Sequence, residues 1–212
     1  MPIFTGLKFG FGLSNEEGGA AGPIAFTATG GTTNTYTHPD GNTYKAHIFT
    51  ASGSFQVTAI SGNPTLPNNL DWLCVAGGGG GGCRGGGGGA GGLRSSTDET
   101  GGNPTSNLES ALPFGAVSNY TVTVGSGGAG QPLNVPQTAG VNGQTSSFAY
   151  NGGTITSTGG GGGCSDGSQS ASGGSGGGGG NGKNGSPGTA GQGYGGGDAA
   201  GNSNAGGGGA GG

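Results

Sequence analysis

The chain has 212 residues, 63 of them glycine, and with only 28% hydrophobic residues it cannot bury an ordinary apolar core in proportion to its length. Its 5 basic and 9 acidic residues give a formal charge of -4, which excludes a polybasic surface for nucleic acid or anionic lipid. Fixing glycine costs more backbone entropy than fixing any other residue, so the glycine runs either stay disordered or are held by backbone hydrogen bonds.

Residues 1–23 show no basic leader, no long apolar stretch and no run near the roughly 18 apolar residues of a membrane span. The expectation is synthesis in the cytosol without export by the usual route and without membrane insertion. Leu7, Phe9, Phe11 and Leu13 alternate with Lys8, Gly10 and Gly12, the period of a strand with one apolar face. Such a strand needs a partner. That partner is either the chain's own sheet or, if residues 1–23 act as a docking and oligomerisation arm, another subunit or a larger assembly.

Residues 24–76 read as a small antiparallel β region. The runs 32–37 and 42–50 flank His38-Pro39-Asp40-Gly41, a tight-turn sequence, and 55–60 supplies a third strand, which together predict a meander. Tyr44, Ala46 and Ile48 are expected to share one buried face, and Phe55, Val57 and Ala59 another. Trp72, on the run 70–76, is expected in the core, where one aromatic contributes a large share of a small buried area.

At Ala76 an apolar strand passes directly into glycine, and the same junction recurs after 118–124 and after 154–158 within the β segments expected near 118–124 and 145–158. Residues 77–212 lack the three-residue glycine repeat of collagen, and their runs start at strand ends rather than joining two domains as a linker would. The predicted alternative is a bundle of polyglycine-II-type helices. Without a Cβ, neighbouring helices approach until N–H meets C=O, so the core is made of backbone. The fold class is therefore mainly β plus irregular: a small antiparallel β region followed by this bundle, with few or no α-helices.

Loops between the runs hold most of the chemical variety, and loops on a rigid scaffold usually carry recognition. Phe114, Tyr150 and Tyr194 are the candidate contact residues, with Asp98, Asn103 and Asn107 as polar companions. Catalytic signals are weak throughout. Cys74, Cys83 and Cys164 are an odd set without metal-ligand spacing, although Cys83 and Cys164 would meet if adjacent glycine helices bring them together. The segment 177–184 resembles a phosphate-binding loop with Lys183 in place, but Asn184 stands where Ser or Thr belongs. His38 and His47 have no nucleophile suggested beside them, and Glu16-Glu17 and Asp98-Glu99 read as solvated charge. No enzyme, cofactor or metal is expected.

The ordered succession YKAHIFTASGSFQVTA, LDWLCVAGGGGGGCRGGGGGAGG, YTVTVGSGGAG and GQTSSFAYNGGTITSTGGGGG, over roughly residues 44–212, resembles the glycine-rich domain of bacteriophage tail-fibre and virion appendage proteins. The resemblance implies a non-enzymatic virion component, made in the host cytoplasm and released by lysis, whose loops adhere to a host-surface glycan or outer-membrane protein. Its arm would join other virion proteins or identical subunits, and a homo-oligomer such as a trimer follows by analogy with fibres. The competing reading is a self-assembling head fibre, capsid decoration or extracellular filament that binds no receptor. An ice-binding bundle ranks below both, since Thr32, Thr33, Thr35 and Thr37 form only a short threonine patch.

Overall fold

Apart from the glycine runs, β-branched and aromatic residues alternate with small polar ones, a pattern suited to half-buried strands. The computed structural model describes residues 5–11, 26–39, 43–62, 68–97, 109–133, 138–166 and 168–210. It is mainly β, with antiparallel sheets and no helix among the described residues. The strands are β1 (Thr5–Phe11), β2 (Thr27–Thr29), β3 (Thr32–Thr37), β4 (Thr43–Phe49), β5 (Gly53–Ala59), β6 (Asn69–Val75), β7 (Leu93–Ser95), β8 (Leu112–Pro113), β9 (Ser118–Thr123), β10 (Ser146–Tyr150) and β11 (Gly153–Ser157).

One sheet has the order β3-β4-β1-β6-β7, with β8 also on β6, and the other has the order β11-β10-β9-β5-β2. The expected meander is thus corrected. β3 and β4 form a hairpin, but β5 crosses to the second sheet, where it lies between β9 and β2. With so few apolar side chains, a single sheet would leave its apolar face in water, whereas two layers cover each other.

A second correction concerns β4. Its buried residues are His47 and Phe49, at 0% and 4% exposure, while Tyr44, Ala46 and Ile48 are only half-buried on the alternate face. The imidazole tolerates this position because Nδ1 donates to the Gly30 carbonyl at 2.7 Å and its ring meets Phe55 edge-on, centroids 5.3 Å apart. Gly30, at φ 113°, brings that carbonyl close in a conformation side chains rarely adopt. Phe55 and Val57 are buried as expected, and Trp72 is in the core at 3% exposure. One apolar cluster joins both sheets, with Phe55, Phe114, Tyr120 and Phe148 linked by ring contacts; Phe114 and Tyr120 are closest, 4.9 Å between centroids and 79° apart.

The glycine runs are bound to one another through their backbones, and amides three residues apart reach the same neighbour. Gly77, Gly80 and Cys83 donate to Gln144, Val141 and Thr138; Gly86, Gly89 and Gly92 donate to Cys164, Gly161 and Thr158. Gly160 and Gly163 donate to Gly77 and Gly80, while Gly161 and Cys164 donate to Ser175 and Gly178. Residues 159–164 and 173–180 are buried in the middle of this array. A Cβ on Gly161 would lie 1.8 Å from the Ala171 carbonyl oxygen, whereas one on Gly206 or Gly209, both exposed, would meet nothing within 4 Å.

Two outcomes follow. Gly161→Ala should cost at least about 3 kcal/mol or abolish folding, because the obstructing atoms are backbone and cannot rotate away. Gly206→Ala should be neutral or stabilising by about 0.4–1 kcal/mol through a stiffer unfolded chain. Thermal unfolding of the pair reads both, and equal midpoints would show that the interior is not close-packed. Burial, aided by the Lys45 charge and opposed by the Gly30 hydrogen bond, holds the His47 imidazole below the usual histidine range. The unfolded chain therefore takes up a proton that the folded chain refuses, so stability should fall as pH drops from about 6.5 towards the folded value. Denaturant titrations across that window should lose the His47 contribution to the slope in His47→Phe.

Candidate functional site

Five chain crossings connect the sandwich to the glycine region: β6 leads into Gly77, β9 into the run from Gly125, and β11 into Gly159, while Gly92 leads back into β7 and Gln144 back towards β10. The register of backbone bonds then places the turns of the glycine region at two ends. Ala76 bonded to Gly92, Gly92 to Thr158 and Leu93 to Gln192 mark the end beside the sandwich. Cys83 bonded to Thr138, Gly86 to Cys164 and Asn181 to Ser203 mark the far end.

The far end is where charged and amide side chains collect. Arg84 is exposed and holds φ 50°, and Asn181 holds φ 49° ahead of Gly182 at φ 72°, so both turns use the left-handed region at non-glycine positions. The Lys183 amide closes the second turn on the Gly180 carbonyl at 3.1 Å. Asn181 Nδ2 donates to Asp166, and Asp198 Oδ1 accepts from the Gly185 amide at 2.9 Å. The turn 200–203 is closed by Ser203 Oγ, which donates to the Ala200 carbonyl at 2.6 Å. Two cations, Arg84 and Lys183, thus stand among two carboxylates, Asp166 and Asp198, with Leu133 on the adjoining loop 70% exposed. Such a surface offers hydrogen-bond donors and acceptors on turns held by the backbone array. Among the described residues, no three His, Cys, Asp or Glu side chains gather as a possible metal site, and no helix is long and apolar enough to cross a membrane.

A second polar cluster braces the sandwich around β7. Arg94 binds Glu109 through both carboxylate oxygens, Nε to Oε1 at 2.6 Å and Nη2 to Oε2 at 2.5 Å. Its Nη1 donates to the Thr156 carbonyl of β11 at 2.8 Å, and its guanidinium lies 5.8 Å from the Trp72 ring centre. Trp72 Nε1 in turn donates to the Ser110 carbonyl at 3.1 Å. The Glu109 bonds raise the Arg94 pKa above its ordinary value, so the guanidinium stays ionised. β7 is thereby tied to the opposite sheet.

The sequence-derived candidates scatter. Phe114 is in the core at 2% exposure and offers no surface to a partner: with Leu112 it alternates inward from β8, a pattern its short apolar loop concealed. Tyr150 is half-buried against the core on the β10–β11 hairpin, and Tyr194 is half-buried near the sandwich, its carbonyl accepting from Gly176 and its amide donating to Gly209. Asp98, Asn103, Asn107 and Leu13 lie outside the described residues. Leu7, Phe9 and Phe11 fall on β1, in the middle of the first sheet. Arg84, Asp166, Asn181 and Lys183 were not singled out as contacts, although charged and amide residues punctuating glycine runs were the available signal. The three cysteines are free and buried; burial pushes the Cys74 thiol up, and Cys83 and Cys164 are not joined.

Arg94→Ala should cost about 2 kcal/mol, and Arg94→Lys should recover less than half, because an ammonium cannot reproduce the two-pronged bond and the Thr156 contact together. Urea titration of the three proteins measures this, and full recovery by lysine would reduce the contact to simple charge.

Comparison with curated proteins and with solved structures returns no match. Residues 49–212, well over half of the chain, match the glycine-rich domain family, and the protein belongs to it.

Proposed function

We propose that this protein is a non-enzymatic adhesive component of a phage particle, a tail fibre or virion appendage in which a polyglycine-II-type helix bundle carries recognition loops at its far end. The three-residue period of the backbone bonds supports the helical reading, since an extended helix with three residues per turn aims every third amide at the same neighbour. The observation that carries the functional reading is the gathering of Arg84, Asp166, Asn181 and Lys183 on turns at the end remote from the sandwich. The resemblance over roughly residues 44–212 supplies the virion context.

Adhesion here is binding without chemistry. Turns closed by their own hydrogen bonds have already lost conformational freedom, so contact with a host-surface glycan or outer-membrane protein costs less ordering entropy. Many copies on one particle convert weak single contacts into firm attachment.

The test removes the far-end side chains while keeping their backbone. Arg84→Gly and Asn181→Gly suit the left-handed turns, and Lys183→Ser completes a triple variant. Fluorescent full-length protein is titrated onto cells of the bacterial host of the particle. Binding should drop at least about tenfold, a loss of about 1.4 kcal/mol, with the melting temperature unchanged. Undiminished binding by a folded triple variant would remove the far end as the recognition site.

A further inference from the structure

We infer that β1 is an exchangeable strand: the slot between β4 and β6 accepts residues 5–11 of a second copy of this chain, linking subunits through a shared sheet. β1 is antiparallel to β4 through Thr5↔Phe49 to Phe11↔Thr43 and antiparallel to β6 through Leu7↔Trp72 to Phe9↔Leu70. β4 and β6 therefore run parallel, and among the described strands they are joined in the sheet through the strand between them. Without β1 the first sheet divides into two pieces, each with an open edge, and only a strand antiparallel to both restores it. The slot also has a defined register, in which Lys8 stands opposite Asp71 on one side and Ala46 on the other.

The connection does not compel a chain to fill its own slot. The three residues 50–52 link β4 to β5, so Thr43 and Ala59 share the opposite end of the sandwich, where Phe11 and Thr27 pair with them. Phe11 and Phe26 are thus separated by one layer spacing of about 10 Å and a few strand widths of about 4.8 Å. A chain of as many residues as lie between them can span at most about 50 Å. The same length that closes the sheet within one chain reaches a neighbouring copy, and the contacts made are identical in both forms. The balance is set by concentration: a tether of this kind supplies an effective concentration on the order of millimolar, which crowded copies on a particle match. This inference is independent of what the far end recognises.

The test traps the register covalently. Lys8→Cys with Ala46→Cys places two thiols on paired residues, whose Cα separation of about 4.5–5.5 Å in an antiparallel sheet suits a disulfide. The native thiols of Cys74, Cys83 and Cys164 are buried. Full-length protein is oxidised at about 1 mM, and non-reducing electrophoresis with mass spectrometry reads where the bond forms. About one chain in ten or more should appear in covalent dimers or a ladder, joined through the two introduced thiols, position 8 of one copy to position 46 of the next. Cross-links found only within single chains, or none in a folded variant, would overturn the inference. Should the variant not fold, unmodified protein is incubated with a fluorescent peptide of residues 1–12. Peptide retained at one per chain supports exchange, and no retention at millimolar peptide overturns it. Loss of cell binding in the far-end triple variant leaves both readouts unmoved, so the two proposals fail separately.

Discussion

The contact on which the rest of this structure depends is one backbone amide meeting another chain segment's carbonyl with no side chain between them. Gly160 and Gly161 are adjacent, yet they donate in different directions, to Gly77 and Ser175, while their carbonyls accept from Gly143 and Gly89. A side chain at either position would displace a neighbouring segment by more than an ångström, since an added Cβ stands 2.2 Å or less from a carbonyl oxygen. That requirement relaxes at the periphery, where Ala129, Val141, Asn142 and Gln144 carry exposed side chains. Glycine content is highest where a segment has neighbours all round.

Such a core is marginal when isolated. A net backbone hydrogen bond contributes about 0.5–1.5 kcal/mol, the same order as the entropy lost in fixing a residue. The sandwich offsets the difference by launching the runs already aligned. Phe55, Phe114, Tyr120, Phe148 and Trp72 bury enough apolar surface to fix both sheets, and β6, β9 and β11 deliver their glycine segments to a common end. At the far end of those runs, the turns hold Arg84 and Asn181 in left-handed conformations that side chains rarely adopt.

Much of this was legible in the residues. Each strand-to-glycine junction stands at the expected place, the β segment expected near 145–158 is present as β10 and β11, and Trp72 is buried. The pairing of 5–11 inside the chain's own sheet was one of two readings that the alternation of Leu7, Phe9 and Phe11 left open. The failures share a cause. Alternation along β4 defines two faces but not which one meets the other layer, so Ile48 looked inward and His47 outward until the Gly30 carbonyl supplied a partner. Likewise, the short link after Phe49 reads equally as a hairpin turn or a crossing between layers, and only the latter brings Phe55 against Phe114.

By itself, the sequence determined that an apolar core would be small, that strands would feed glycine runs, and that any order in those runs would have to come from backbone bonding. These follow from local chemistry: side-chain period, the missing Cβ and the scarcity of charge. Tertiary structure alone decided which sheet each strand joins, that Phe114 packs inward, and that Arg84, Asp166, Asn181 and Lys183 converge from separate turns. Those outcomes depend on pairings between segments scores of residues apart. In glycine runs of nearly uniform composition, no residue marks one partner over another, so the choice is made by the geometry of the whole array.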